Sequence, residues 1–105
     1  MRMMLKVSIP VETGNAAARK GTLGSTLERI LGEIKPEAVY FSEDNGQRTG
    51  YVVFDMTDSS QLPAIAEPWF LAFNAQITVR PAMTPQDLAK AGPSIEKAVK
   101  EYGRA

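Results

Sequence analysis

Hydrophobic and polar residues alternate in four segments of the chain, and this alternation predicts four β-strands. In the first segment, residues 3–10, Leu5, Val7 and Ile9 fall on one side and the residues between them on the other, because successive side chains of a strand face opposite sides of a sheet. The later strands are predicted at residues 38–42, 50–56 and 74–80. The middle two are expected to be antiparallel neighbours, joined by a loop of more than two residues that contains the turn dipeptide Asn45-Gly46.

Hydrophobic residues spaced three and four apart predict two helices between the strands. The first is expected from Ala16 to just before Pro36, behind turn and cap residues at positions 13–15. The second is expected to start from a cap within residues 58–60. Pro68 lies inside this second helix and is expected to kink or restart it, since proline has no N–H to donate.

A last helix is predicted after the fourth strand. Thr84 is a favoured cap residue, Pro85 suits the first helical position, and an acid follows three residues after the cap. The helix is expected to break at Gly92-Pro93 and to restart from Ser94 as far as Tyr102.

These elements predict one fold class for the whole chain. The order β-α-β-β-α-β is that of a ferredoxin-like α+β sandwich with a four-stranded antiparallel sheet, here with an added C-terminal helix and a single domain over residues 1–105. Right-handed crossovers place both inner helices on one face of the sheet. The residues expected to face these helices are the more aliphatic side of each strand: Leu5, Val7, Ile9, Val39, Phe41, Val52, Phe54, Ile77 and Val79.

The other sheet face is expected to be free of helices, and we call it the bare face. It is predicted to mix aromatic, apolar and oppositely charged side chains, an unusual composition for solvated surface. Lys6, Asp55 and Arg80 are expected to be close enough for an ion network. Candidate ligand-binding residues are Tyr40, Tyr51, Asp55 and Arg80, together with Trp69 from the second helix, and candidate dimer-interface residues are Met4, Lys6, Val53 and Thr78.

Trp69 belongs to a short aromatic segment with Phe70 and Phe73. Such a cluster can wall a ligand pocket or pack in the core beneath the second crossover, and the sequence leaves both interpretations open.

Composition narrows the chemistry. The chain has no cysteine and no histidine, which excludes disulfides, Cys/His zinc sites and histidine-based nucleophilic catalysis. No metal or cofactor is therefore predicted. Twelve basic residues balance twelve acidic ones, so no net field attracts nucleic acid or a membrane surface. With no signal-peptide core or membrane span, a soluble cytoplasmic protein is expected.

Four stretches carry a resemblance to a known family: residues 37–46, 50–56, 65–70 and 79–88. Through them most of the chain resembles a little-characterised bacterial family of short ferredoxin-like proteins, related in architecture to the dimeric α+β barrels. The resemblance implies a homodimer with sheets paired face to face. It supplies no catalytic residue.

The sequence does not decide between several classes of function. The leading hypothesis is a homodimer that binds a small organic ligand in a pocket next to the sheet. The alternatives are a non-catalytic structural or protein-interaction module, and a cofactor-independent oxygenase or isomerase-like enzyme that uses tyrosine as an acid or base and arginine as an oxyanion partner.

Overall fold

The structure, a computed structural model, describes residues 1–103 and has the predicted alternation of strands and helices. Its elements are β1 (Arg2–Ile9), α1 (Val11–Lys20), α2 (Leu23–Ile34), β2 (Ala38–Asp44), β3 (Gln47–Asp55), a 3-10 turn (Ser59–Gln61), α3 (Leu62–Phe73), β4 (Gln76–Pro81), α4 (Pro85–Lys90) and α5 (Gly92–Tyr102). Within the described part of the chain, no helix has the length and apolar character needed to cross a membrane.

The strands form one antiparallel sheet in the order β2-β3-β1-β4. On the central strand β1, Leu5 lies opposite Val52 of β3 and Val79 of β4. This order and the two β-α-β units confirm the ferredoxin-like prediction. The hairpin loop is shorter than predicted, because β2 and β3 extend to a two-residue turn in which Asn45 and Gly46 have φ angles of 52° and 77°.

The predicted assignment of side chains to the two sheet faces is confirmed. Leu5, Val7, Val52 and Phe54 are buried beneath the helices. Phe41 faces the same way but is 59% exposed, so its predicted place in the core is wrong. It belongs to the edge strand β2, and the helical layer does not cover the sheet that far.

The first crossover contains two helices where one was predicted. α1 begins directly after Pro10, so residues 13–15 are helical and do not form the expected turn. It ends at Gly21, whose φ of 74° closes the helix with backbone bonds to Ala17 and Ala18. The chain then restarts at Leu23 as α2.

The second crossover is more regular than predicted. A capping box between Asp58 and Gln61 starts the 3-10 turn, and α3 then runs without interruption through Pro68. The carbonyl that loses its partner is that of Ala64, an exposed residue, so water can take the place of the missing N–H.

The C-terminal helices lie apart from the rest of the fold. Thr84 and Asp87 form the predicted capping box, and the break before α5 falls at Ala91, so α5 already begins at Gly92. The radius of gyration is 17.6 Å, against about 13 Å for a compact chain of roughly 100 residues. Ile95, Val99 and Tyr102 on α5 are all exposed.

Candidate functional site

The bare face carries the predicted residues in two rows across the sheet. Tyr40, Tyr51, Lys6 and Thr78 lie opposite one another on successive strands, and so do Val53, Met4 and Arg80 in the next row. Tyr40 is 69% exposed and Met4 47%, whereas Lys6, Tyr51 and Val53 are half-buried by their neighbours. Asp55 lies on the same face in a further row, opposite Arg2. All the predicted ligand-binding and interface residues except Trp69 are therefore on one surface.

The predicted ion network on this face is not formed. Lys6 pairs with Asp44 across β3, while Asp55 binds the N-terminal amine at 2.8 Å. Arg80 has no ion pair among residues 1–103. The hydrogen bond that the Lys6 ammonium donates to Asp44, with the negative charge of that carboxylate, raises the pKa of Lys6 above its ordinary value.

A cavity of about 230 Å³ lies on the opposite side of the sheet, between the strands and the helices α2 and α3. Its wall is almost wholly apolar. The apolar lining side chains come from three strands and two helices: Val7, Ile9, Phe41, Val52, Leu23, Leu27 and Trp69. Ser42, Arg48, Thr49 and Gly50 complete the lining.

Two glycines shape this cavity. Gly50 lies on the helix-facing side of β3, between Val7 and Phe41 in neighbouring strands, and contributes no side chain there. A Cβ at Gly50 would come 3.4 Å from the Phe41 ring. Gly21 ends α1, and the restart that follows lays Leu23 and Leu27 over the strands. The cavity lies where β3 has no side chain, at Gly50, and where α2 restarts after the end of α1.

Trp69, one of the lining residues, has an unsatisfied polar atom. Trp69 is only 2% exposed, and its indole Nε1 is buried with no acceptor within residues 1–103. The ring packs against Phe73, with centroids 6.4 Å apart, so it is held in place by the core. Leaving a buried donor unpaired costs about 1–3 kcal/mol, and an acceptor brought by a ligand would remove that cost.

Arg48 is the charged residue of the cavity lining. It belongs to β3 and extends over α1 at Gly14, where a Cβ would come 2.5 Å from Nη1 of the guanidinium. The lining includes no carboxylate. Glu43 lies opposite Arg48 on β2, but its carboxylate accepts a hydrogen bond from the Gly46 N–H at 3.1 Å. Arg48 has no ion pair among the described residues.

The structure separates the predicted ligand-binding residues. Trp69 lines the cavity, whereas Tyr40, Tyr51, Asp55 and Arg80 lie on the bare face, so the five do not form one site. Arg48 and Gly50 line the cavity, although neither was predicted from the sequence as a site residue. Their signal is the alternation in β3, which places Arg48, Gly50, Val52 and Phe54 on one face, although a charge and a glycine are unusual in such a row.

Strand order and pairing together define a ferredoxin-like α+β protein. The chain belongs to the family described as a domain of unknown function (DUF3303), whose model matches residues 1–95. This confirms the resemblance to a little-characterised ferredoxin-like family.

Comparison with solved structures finds a similar fold in a formyltetrahydrofolate deformylase from Pseudomonas putida KT2440, with 17% identity and a TM-score of 0.49. The match covers 78% of this chain and 29% of that one, so the chain spans less than a third of the length of that enzyme. Comparison with curated proteins gives no match.

Proposed function

We propose that this protein binds a small organic molecule in the cavity between the sheet and helices α2 and α3. The observation that carries the proposal is the apolar cavity lined by Trp69, whose buried indole N–H has no acceptor within residues 1–103. Such sites combine apolar walls with a few polar groups that orient the ligand.

The size of the cavity restricts the ligand. At about 230 Å³ it exceeds the roughly 150 Å³ of an engineered apolar cavity that accepts benzene, and it is smaller than the roughly 300 Å³ at which drug-sized pockets begin. The ligand is therefore a single-ring or short-chain compound with an oxygen acceptor for Trp69.

The proposed function is binding, and not catalysis by the residues that the sequence offered as acids or bases. Tyr40, Tyr51, Asp55 and Arg80 face away from the cavity, so a ligand held there is out of their reach.

A binding experiment with a blocked cavity tests this function. Benzyl alcohol, benzoate, 1-octanol and octanoate are titrated into the protein by calorimetry, and the melting temperature is followed in parallel. A ligand at 100 times its dissociation constant adds about 2.7 kcal/mol of stability. At least one probe is expected to bind to the wild type and to bind at least tenfold more weakly to Gly50→Val, whose side chain enters the cavity.

Gly24→Ala is the matched control, because a methyl group there meets no neighbour within 4 Å. The control is expected to bind like the wild type. No binding of any probe, or equal binding to Gly50→Val, would overturn the proposal.

We also propose that two copies associate through the bare face. Its support is the exposure of Tyr40 and Met4 in adjacent rows of an uncovered sheet. Light scattering after size-exclusion chromatography is expected to give a dimer that Tyr40→Glu dissociates, since the variant would bury a charge. Val99→Glu makes the same kind of change on exposed helix α5. If the wild type were a monomer, this interface would be excluded. It would also be excluded if Val99→Glu dissociated the dimer and Tyr40→Glu did not.

A further inference from the structure

We infer that the ligand of this cavity is a small apolar monocarboxylic acid, whose carboxylate is bound by Arg48. This inference rests on the proposed function and adds the chemical class of the ligand. It depends on Arg48, whereas the proposal of binding depends on Trp69.

Arg48 has no ion-pair partner among the described residues. Arg48 lines the cavity, and the residues that share the lining include no carboxylate. Glu43 opposes it across the hairpin but makes its hydrogen bond to the backbone of Gly46. Arg48 is exposed and has no ion pair among the described residues, so its donors are free to bind an acceptor in the cavity. A carboxylate matches the fork of the guanidinium in geometry and charge.

The guanidinium of Arg48 extends over α1 at Gly14. Gly14 is buried and has no side chain, and this leaves room for Nη1 and Cδ of Arg48 against α1. A methyl group at Gly14 would lie 2.5 Å from Nη1 and 3.3 Å from Cδ, so it would displace the head group. Because Gly14 has no side chain, the guanidinium of Arg48 lies close to the backbone of α1.

The cavity lining carries one positive charge. Arg48 is the one cationic residue of the lining, so the site balances a single negative charge and suits a monoanion better than a phosphate monoester or a dicarboxylate. Most of the remaining lining is apolar, with Ser42 and Thr49 as its uncharged polar residues. Trp69, whose buried indole N–H has no acceptor within residues 1–103, lines the same cavity of about 230 Å³. A carboxylate has two oxygens, enough acceptors for both groups.

Paired probes test the inference at neutral pH, where the acids are ionised. Calorimetry compares octanoate with 1-octanol and benzoate with benzyl alcohol on the same protein. We expect each acid to bind the wild type at least tenfold more tightly than its alcohol. Arg48→Gln is expected to abolish that preference while alcohol binding stays within threefold. Arg19→Gln, which removes an exposed charge from α1 outside the cavity, is expected to keep the preference.

Gly14→Ala provides a second variant in which Arg48 is retained and only displaced. It is expected to lower the preference for the acids, and its far-UV spectrum reports whether the fold is intact. Equal affinity of acid and alcohol for the wild type would overturn the inference and leave the proposed function standing. An acid preference that persists in Arg48→Gln would also overturn it. Failure of all four probes to bind would overturn both.

Discussion

The two faces of the sheet use the same strands for opposite purposes. On the helix side, alternate residues such as Leu5 and Val52 are buried, and the face is interrupted by Gly50 and Arg48 at the cavity. On the bare face the neighbouring residues Met4 and Tyr40 are exposed. Burial of one face determines the fold, while the deviations from the expected pattern on either face are where we propose that the protein contacts other molecules.

The largest difference between the faces is expected in stability. Leu5 has no exposed surface, and its replacement by alanine should cost about 2–5 kcal/mol, because a cavity forms in the core. Met4→Ala, one residue away on the bare face, should change the stability of the monomer by no more than about 0.5 kcal/mol. Urea unfolding at low protein concentration measures both.

Repeating the urea unfolding at higher protein concentration distinguishes Met4→Ala from Leu5→Ala in a second way. If Met4 belongs to an interface, the cost of Met4→Ala should grow with concentration, because association stabilises the folded state by mass action. Equal losses for Leu5→Ala and Met4→Ala at low concentration would contradict the assignment of the faces.

A smaller effect is expected at the helix break that frames the cavity. Gly21 has a φ of 74°, a conformation that costs L-residues about 1–2 kcal/mol, so Gly21→Ala should destabilise the protein by about 1 kcal/mol. Gly24 lies inside α2, and Gly24→Ala should stabilise by up to about 1 kcal/mol through helix propensity. No neighbour lies within 4 Å of a Cβ at either position, so the pair isolates backbone conformation. If thermal unfolding showed that Gly21→Ala and Gly24→Ala change the stability in the same direction, this prediction would be wrong.

The smallest effect concerns the ion pair on the bare face. The pKa of Lys6 is raised in the folded state by its hydrogen bond to Asp44, so the protonated form is favoured by folding. Its contribution to stability is complete below the ordinary lysine pKa and disappears as the pH rises through the raised value. Denaturant unfolding from about pH 8 to 12 should therefore show the gap between wild type and Lys6→Gln closing at the alkaline end. A gap that widens there would contradict the pairing.

Much of the architecture was predictable because its signals are local. The alternation around Leu5 and Val7 predicts both a strand and its buried face, and Thr84-Pro85 predicts a helix start; both predictions are confirmed. The path of α3 through Pro68 was not predicted, since it depends on the solvent exposure of the turn around Ala64 rather than on the proline itself.

The candidate site was less predictable, because it depends on distant parts of the chain. Trp69 was predicted as a ligand-binding residue, and it does line a cavity. Its partners there come from β1, β2, β3 and α2, elements that are far apart in the chain. The prediction for Phe41 failed for a related reason, since edge position is a property of strand order and not of periodicity.

The central claim, that the buried donor of Trp69 receives an acceptor from a ligand, has a direct test. The chain has one tryptophan, so a proton–nitrogen NMR spectrum has a single indole peak to follow while benzoate, octanoate and their alcohols are added in turn. With a probe that calorimetry shows to bind, the indole proton is predicted to move downfield as the N–H gains a hydrogen bond. An indole peak that stays in place at saturation would contradict the account.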